Sequence, residues 1–192
     1  AKLKEQELNG LRLADAVPGT VASRELSAAL WGKGPLGAQA TAASVASITL
    51  DDVRTFYAAC YTPSQAVLVF SGDVPPQRSQ ELARQLLEGW AGREAPAVDY
   101  LPPPPGKARV ILVDRPDGKQ ATIRMGARAY DNRCDEKFAG GLASQILSSG
   151  IDSRLGLYVR AEKGLAYRVR GTFNPARHGG VFLVETDTQV PR

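Results

Sequence analysis

The chain has 192 residues, 43% hydrophobic and 23% charged, with a net charge of +4; these are ordinary globular values, enough apolar material for a core in one domain or two small ones. Its 24 Lys and Arg are scattered, with no basic run or aromatic-interleaved basic stripe, which argues against nucleic-acid binding. No apolar run approaches the roughly 18 residues of a membrane-spanning helix.

Cys60 and Cys134 are the only cysteines, far apart and in no metal-ligand spacing. They read as two buried thiols acting as small hydrophobes. A disulfide and the redox compartment are left open by this pair. Ala1 opens directly into the helical pattern Leu3, Leu8, Leu11 and Leu13, without a start Met or signal peptide. The other end stops just after a strand-like run, Gly180 to Thr186. The expectation is a portion of a larger protein, whose cellular address the missing signal peptide does not reveal.

The first third reads as helical. One helix is predicted over Lys2 to Ala16, stopped by Pro18-Gly19, and a second over Val21 to Trp31, ended by Gly32. A loop rich in Gly, Ala and Ser follows to Ser47. Thr49 and Asp52 then form a capping-box-like start, with Asp in place of the usual Glu or Gln. Val53, Phe56, Tyr57 and Cys60 mark one face of that third helix, at a 3.6-residue period, and Pro63 ends it. Ala66 to Phe70 is a continuous apolar run that predicts a buried strand. A fourth helix is expected over Gln77 to Trp90.

Between Ala91 and Lys107 the periodicity disappears and prolines dominate, so an extended linker is expected there. The domain division is therefore 1–92, a linker at 93–107, and 108–192. Two strands are predicted at Arg109 to Asp114 and Gln120 to Arg128, joined by a turn at Pro116-Asp117-Gly118. A helix from Asp135 to Leu147 follows, then a short helix from Ser153 to Glu162 that stops at Gly164. Two strands close the chain, Ala166 to Phe173 and Val181 to Thr186, with a turn at Arg177 to Gly180. Two helix-plus-strand portions flanking a linker predict α+β packing in layers.

A self-contained active site is hard to find. His178 is the only histidine, which excludes a two-His zinc site within one chain; in its Gly-rich turn it reads as a surface loop residue. No Walker-type loop or Gly-x-Gly-x-x-Gly run is present, and turn chemistry accounts for Ser71-Gly72-Asp73. One arrangement remains. Arg160 lies near the end of the short helix, and Tyr167 begins the strand seven residues later, with Gly164 between them to allow a sharp reversal. A guanidinium fork and a phenol brought to one place could hold a peptide carbonyl oxygen and stabilise negative charge developing on it. Spacing alone does not separate that role from a surface charge beside a half-buried strand residue.

The segment from Ser153-Arg154-Leu155 through Arg160-Ala161-Glu162-Lys163-Gly164-Leu165-Ala166-Tyr167 resembles the part of pitrilysin/insulinase-type zinc peptidases that carries their substrate-gripping Arg and Tyr. The resemblance extends to Thr49 through Tyr57, to Tyr61-Thr62-Pro63, to Ala66 through Val74, and to Leu112-Val113-Asp114-Arg115-Pro116 followed by Gln120. Gly34-Pro35-Leu36-Gly37 sits where that family often has His-Pro-Tyr-Gly. Together these cover residues 20 to 187, in the family's order. Ala161 stands in place of the usual Glu, Val159 in place of Leu, and Ser148-Ser149-Gly150 where Leu-Gly-Gly is common.

The resemblance implies an α+β fold with mixed, largely antiparallel sheets and helices packed on one face, in repeats of the mitochondrial processing peptidase type. Residues 1–92 would be the rear of one repeat and 108–192 the front of the next. It further implies that Arg160 and Tyr167 are the catalytic residues of this chain, gripping the substrate carbonyl and oxyanion. Zinc would be bound by an inverted His-x-x-Glu-His motif in another domain or subunit, with none in this chain. Partners would be a peptide substrate and the domain or subunit bearing that motif, in a periplasmic or otherwise cytoplasmic setting. The alternative from the same family is a non-catalytic structural or partner subunit.

Overall fold

The computed structural model describes residues 2–92, 94–100, 102, 103, 106–116 and 118–189. Parts of the expected linker (93, 101, 104 and 105) and Asp117 of the expected turn lie outside the described residues. In chain order the elements are α1 (Lys2–Ala16), α2 (Pro18–Trp31), α3 (Ala42–Ser47), α4 (Leu50–Cys60), a 3-10 turn (Pro63–Gln65), α5 (Pro76–Leu87), β1 (Gln120–Ala129), α6 (Lys137–Ser148), a π-helix (Gly156–Glu162), β2 (Ala166–Ala176) and β3 (Gly179–Gln189). By packing they form two compact units, one of Ala1–Ala42 with Asp99–Arg192, the other of Ala43–Val98.

The larger unit is built on an antiparallel sheet of order β1-β3-β2. Its register places Gly126 opposite Leu183, and Leu183 opposite Thr172, while Met125, Val184 and Gly171 align on the alternate face. Glycine at 126 lets Leu26 of α2 approach the strand backbone, and glycine at 171 does the same for Leu147 of α6. The α+β class and the antiparallel sheet match the sequence expectation; α2 meets the sheet at Gly126 and α6 meets it at Gly171.

The side of α6 that meets the sheet carries Leu147 between two buried serines, Ser144 and Ser148. Ser148 Oγ donates to Gly171 O at 2.5 Å, and Phe173 N donates to Ser144 Oγ at 3.0 Å. These bonds take up backbone groups of the edge strand β2 that β3 does not use, so the buried serines are satisfied rather than costly. Phe138, Leu142 and Ile146 lie on the opposite side of α6 and are exposed. A row of rings, Tyr130, Phe173 and Phe182, packs within the sheet at centroid distances of 5.4 and 4.6 Å.

Arginines tie the segment before β1 to the first two helices. Arg109 Nη2 donates to Ala29 O at 2.7 Å, and Arg115 donates to Asp15 O and Ala16 O. Each cation meets carbonyls in the last turn of a helix, which lack intrahelical donors and carry the negative end of the dipole. Arg128 donates to Pro103 O. This packing cuts the chain differently from the linear division at 93–107, which concerns repeats of a parent fold.

In the smaller unit, α4 begins with the expected capping box. Thr49 Oγ1 accepts from Asp52 N, and the Asp52 carboxylate accepts from Thr49 N. Tyr57 stacks on Tyr61 at 5.1 Å. The stripe Val53, Phe56 and Tyr57 is exposed.

Four expectations are corrected. The loop before Ser47 contains the short helix α3. Neither Ala66 to Phe70 nor Arg109 to Asp114 forms a strand. Both runs keep the two-residue alternation of a strand, with Val67 at 88% and Val110 at 95% exposure flanked by more covered neighbours. What they lack is a ladder partner among the described residues, and pairing is set by distant segments rather than by local propensity. Cys60 and Cys134 are free thiols, half-buried rather than buried.

Gly180 offers a check on the sheet packing. A Cβ there would lie 2.1 Å from Tyr130 O and 3.0 Å from Pro175 Cα, both backbone atoms that cannot swing away. Gly180→Ala is expected to lower Tm by roughly 4–8 °C, the scale of a close-packed insertion. Gly141→Ala in α6, which meets nothing within 4 Å, should leave Tm unchanged or raised; thermal unfolding monitored by circular dichroism measures both.

Candidate functional site

Ser153 starts the helical turn that carries Arg160. Its Oγ donates to Gly150 O at 2.8 Å and accepts from Gly156 N at 3.2 Å, satisfying an otherwise free first-turn amide. Gly156 is buried where a Cβ would come within 3 Å of the carbonyls of Gly150 and Ile151. The helix expected at Ser153 to Glu162 then takes a π register rather than an α one over Gly156–Glu162. Lys163 N donates to Tyr158 O at 3.0 Å, five residues back. π turns are uncommon and are frequently found at functional sites.

Gly164 closes the turn. It has φ +60°, the left-handed conformation that only glycine adopts freely. Its amide donates to Arg160 O, and Leu165 N donates back to Val159 O at 3.0 Å. The chain therefore turns back on itself and enters β2 at Ala166. Ala166 pairs with Thr188 and Val169 with Thr186, so Tyr167 and Arg168 together face Asp187 alone. That two-against-one count is a β-bulge.

The outcome is contact between the two residues singled out from the sequence. The Arg160 guanidinium carbon lies 4.6 Å from the centre of the Tyr167 ring. Tyr167 is 82% exposed, which removes the reading of a half-buried strand residue, and Arg160 is exposed as well. Both side chains are thus on one side of the reversal and open to a ligand. An apolar groove runs along the same π-helix, lined by Leu147, Leu155, Leu157, Tyr158 and Ala161, with Arg154 and Glu162 beside it; neither Arg160 nor Tyr167 lines it.

At the opposite end of β2, the His178 ring stacks on Tyr100 at 3.9 Å between centroids and 10° between planes. Nearby, hydrogen bonds from the Arg133 guanidinium and backbone amide hold the Asp131 carboxyl below the usual carboxylate range. Among the described residues no three His, Cys, Asp or Glu side chains gather as a metal site would require, and no helix is long and apolar enough to cross a membrane. The π register, the bulge and the Tyr100 stack escaped the sequence reading. Only the run Thr186-Asp187-Thr188, polar at the end of a strand, hinted at an irregular ladder.

Gly164 tests the reversal. Gly164→Val places a branched side chain in a left-handed conformation and is expected to cost about 1–2 kcal/mol, lowering Tm by about 2–8 °C. Gly164→Asn, whose side chain tolerates that conformation, should stay closer to the parent in the same thermal melts.

The family model for the peptidase M16 inactive domain matches residues 47–192. An uncharacterized zinc protease of Streptomyces coelicolor is 27% identical over 170 residues, covering 84% of this chain and 37% of that protein. Another from Mycobacterium tuberculosis is 28% identical over 185 residues, 92% of this chain and 41% of that one. The Helicobacter pylori protein YmxG, described as a non-peptidase homolog, is 26% identical over 196 residues, covering 98% of this chain and 45% of its own length. Among solved structures, a peptidase M16 inactive domain from Pseudomonas fluorescens superposes with a TM-score of 0.87 at 28% identity, covering 98% of this chain and 46% of that one. A chain of complex III2 from Candida albicans shares the fold at a TM-score of 0.79 and 12% identity. The chain spans less than half the length of these relatives. With the match running over residues 47–192, this chain belongs to the family of the peptidase M16 inactive domain.

Proposed function

We propose that this chain is the substrate-gripping, zinc-less portion of a zinc metallopeptidase that hydrolyses peptides, with Arg160 and Tyr167 holding the scissile carbonyl. The observation that carries the reading is the exposed Arg160–Tyr167 pair, 4.6 Å from guanidinium to ring, held across Gly164. An exposed cation–π contact is worth about 0.5–1 kcal/mol. A hydrogen bond from a charged group contributes about 1.5–3 kcal/mol. A carbonyl oxygen gaining negative charge therefore outcompetes the ring for the guanidinium, and the phenol is free to donate to the same oxygen. Donors aimed where charge develops are the largest single contribution in acyl-transfer catalysis.

Among the described residues no cluster of His, Cys, Asp or Glu side chains would hold a zinc ion. His178 is the only histidine, and its ring is stacked on Tyr100. In the proposal the metal belongs to another portion bearing His-x-x-Glu-His, in the same polypeptide or a partner subunit. Residues 1–92 are the rear of one α+β repeat, 93–107 the linker, and 108–192 the front of the next. The zinc proteases among the relatives support the enzymatic reading. A second reading, a non-catalytic structural or partner subunit, is favoured by the similarity to the non-peptidase homolog of Helicobacter pylori.

Kinetics in the full-length enzyme separate the two. Tyr167→Phe is expected to lower kcat by roughly 10²- to 10³-fold, as for loss of one oxyanion donor; an unchanged rate removes Tyr167 from the chemistry. Arg160→Ala should reduce turnover while leaving Tm in place, whereas a collapse in Tm marks a structural arginine. Metal analysis of the 192-residue chain should find less than one zinc per molecule, and one tightly held zinc would contradict the assignment of the metal to another portion.

A further inference from the structure

The β-bulge that presents Tyr167 is not held by the sheet ladder alone. Where two residues of β2 face one of β3, backbone groups of the bulged strand lose their ladder partners. Here two side chains of β3 take their place. Thr186 Oγ1 donates to Arg168 O at 2.8 Å, and Thr188 Oγ1 donates to Leu165 O at 2.6 Å. The two accepting carbonyls bracket Tyr167. One belongs to the residue just after the Gly164 reversal, the other to the second residue of the bulge. Between the threonines, the Asp187 carboxylate accepts from Thr122 Oγ1 on β1 at 2.7 Å, which fixes the single residue that the bulge faces.

We propose that Thr186 and Thr188 are positioning residues, whose hydroxyls lock the two-residue bulge and thereby keep the Tyr167 phenol beside Arg160. The proposal rests on the reading of Tyr167 as a substrate-gripping residue. The alternative to a locked bulge is a ladder that slips by one residue to restore regular pairing. Because side chains alternate along a strand, a one-residue slip reverses the side on which a residue points, and Tyr167 would lose the guanidinium. A local backbone preference does not prevent this, since neither Tyr nor Arg disfavours a regular strand. The hydroxyl donors do, because the bulge is the register in which they reach these two carbonyls. The pair acts through Tyr167 and touches no reacting atom itself.

The test uses the double variant Thr186→Val with Thr188→Val, which keeps side-chain shape and strand preference, beside Thr186→Ser with Thr188→Ser, which keeps the hydroxyls. In the full-length protein, hydrogen exchange at the amides of residues 166–169 is expected to speed up at least tenfold in the Val pair, with the β1–β3 ladder unaffected and the Ser pair near the parent. The Val pair should also lower kcat about tenfold at unchanged KM, the scale of a misplaced but present donor, and lower it no further in the Tyr167→Phe background. Unaltered exchange in the Val pair, or an equal kcat loss in both backgrounds, overturns the positioning role. A Tyr167→Phe variant with parental kcat overturns the reading of Tyr167 itself, while the exchange result still decides whether the hydroxyls hold the bulge.

Discussion

The contact between the Arg160 guanidinium and the Tyr167 ring, 4.6 Å apart, is the interaction on which the site depends. Four local features converge on it: the Ser153 cap, the π register of Gly156–Glu162, the left-handed Gly164, and the bulge at the start of β2. The Ser153 cap and the glycine at 164 make the reversal at little cost, while the π register and the bulge depart from a regular helix and ladder.

Elsewhere the same unit is conventional. Gly126 and Gly171 let α2 and α6 close on the two faces of the sheet, and the α6 serines take up the outward backbone groups of its edge. β2 is anchored to α6 by the Ser148 and Ser144 hydroxyls at Gly171 and Phe173, and at its start, where Tyr167 sits, to β3 by the hydroxyls of Thr186 and Thr188. A weak cation–π contact between the exposed side chains of Arg160 and Tyr167 leaves that pair free to exchange partners.

The apolar faces tell a different story. Val53, Phe56 and Tyr57 on α4, Phe138, Leu142 and Ile146 on α6, and the unpaired runs at 66–70 and 110–113 are all exposed to a large degree. Their periods are those of elements that pack against neighbours, and apolar surface on this scale marks interaction surfaces in folded proteins. It coexists with a chain that spans less than half of its relatives' length.

Much of this was legible in the residues. Although Pro18, read as the stop of the first helix, opens α2 instead, the capping box at Thr49 and Asp52, the helical periods, and the reversal at Gly164 follow from short-range chemistry. Each depends on atoms no more than a few residues apart, so the sequence by itself determined them, and the spacing of Arg160 and Tyr167 with them. Tertiary structure alone decided whether the apolar runs became strands, which faces of the sheet the helices cover, and which way Tyr167 points. The reason is that a β-ladder or a bulge is an agreement between two segments: Tyr167 is aimed by hydroxyls some twenty residues further along the chain, and no local pattern around it records their presence.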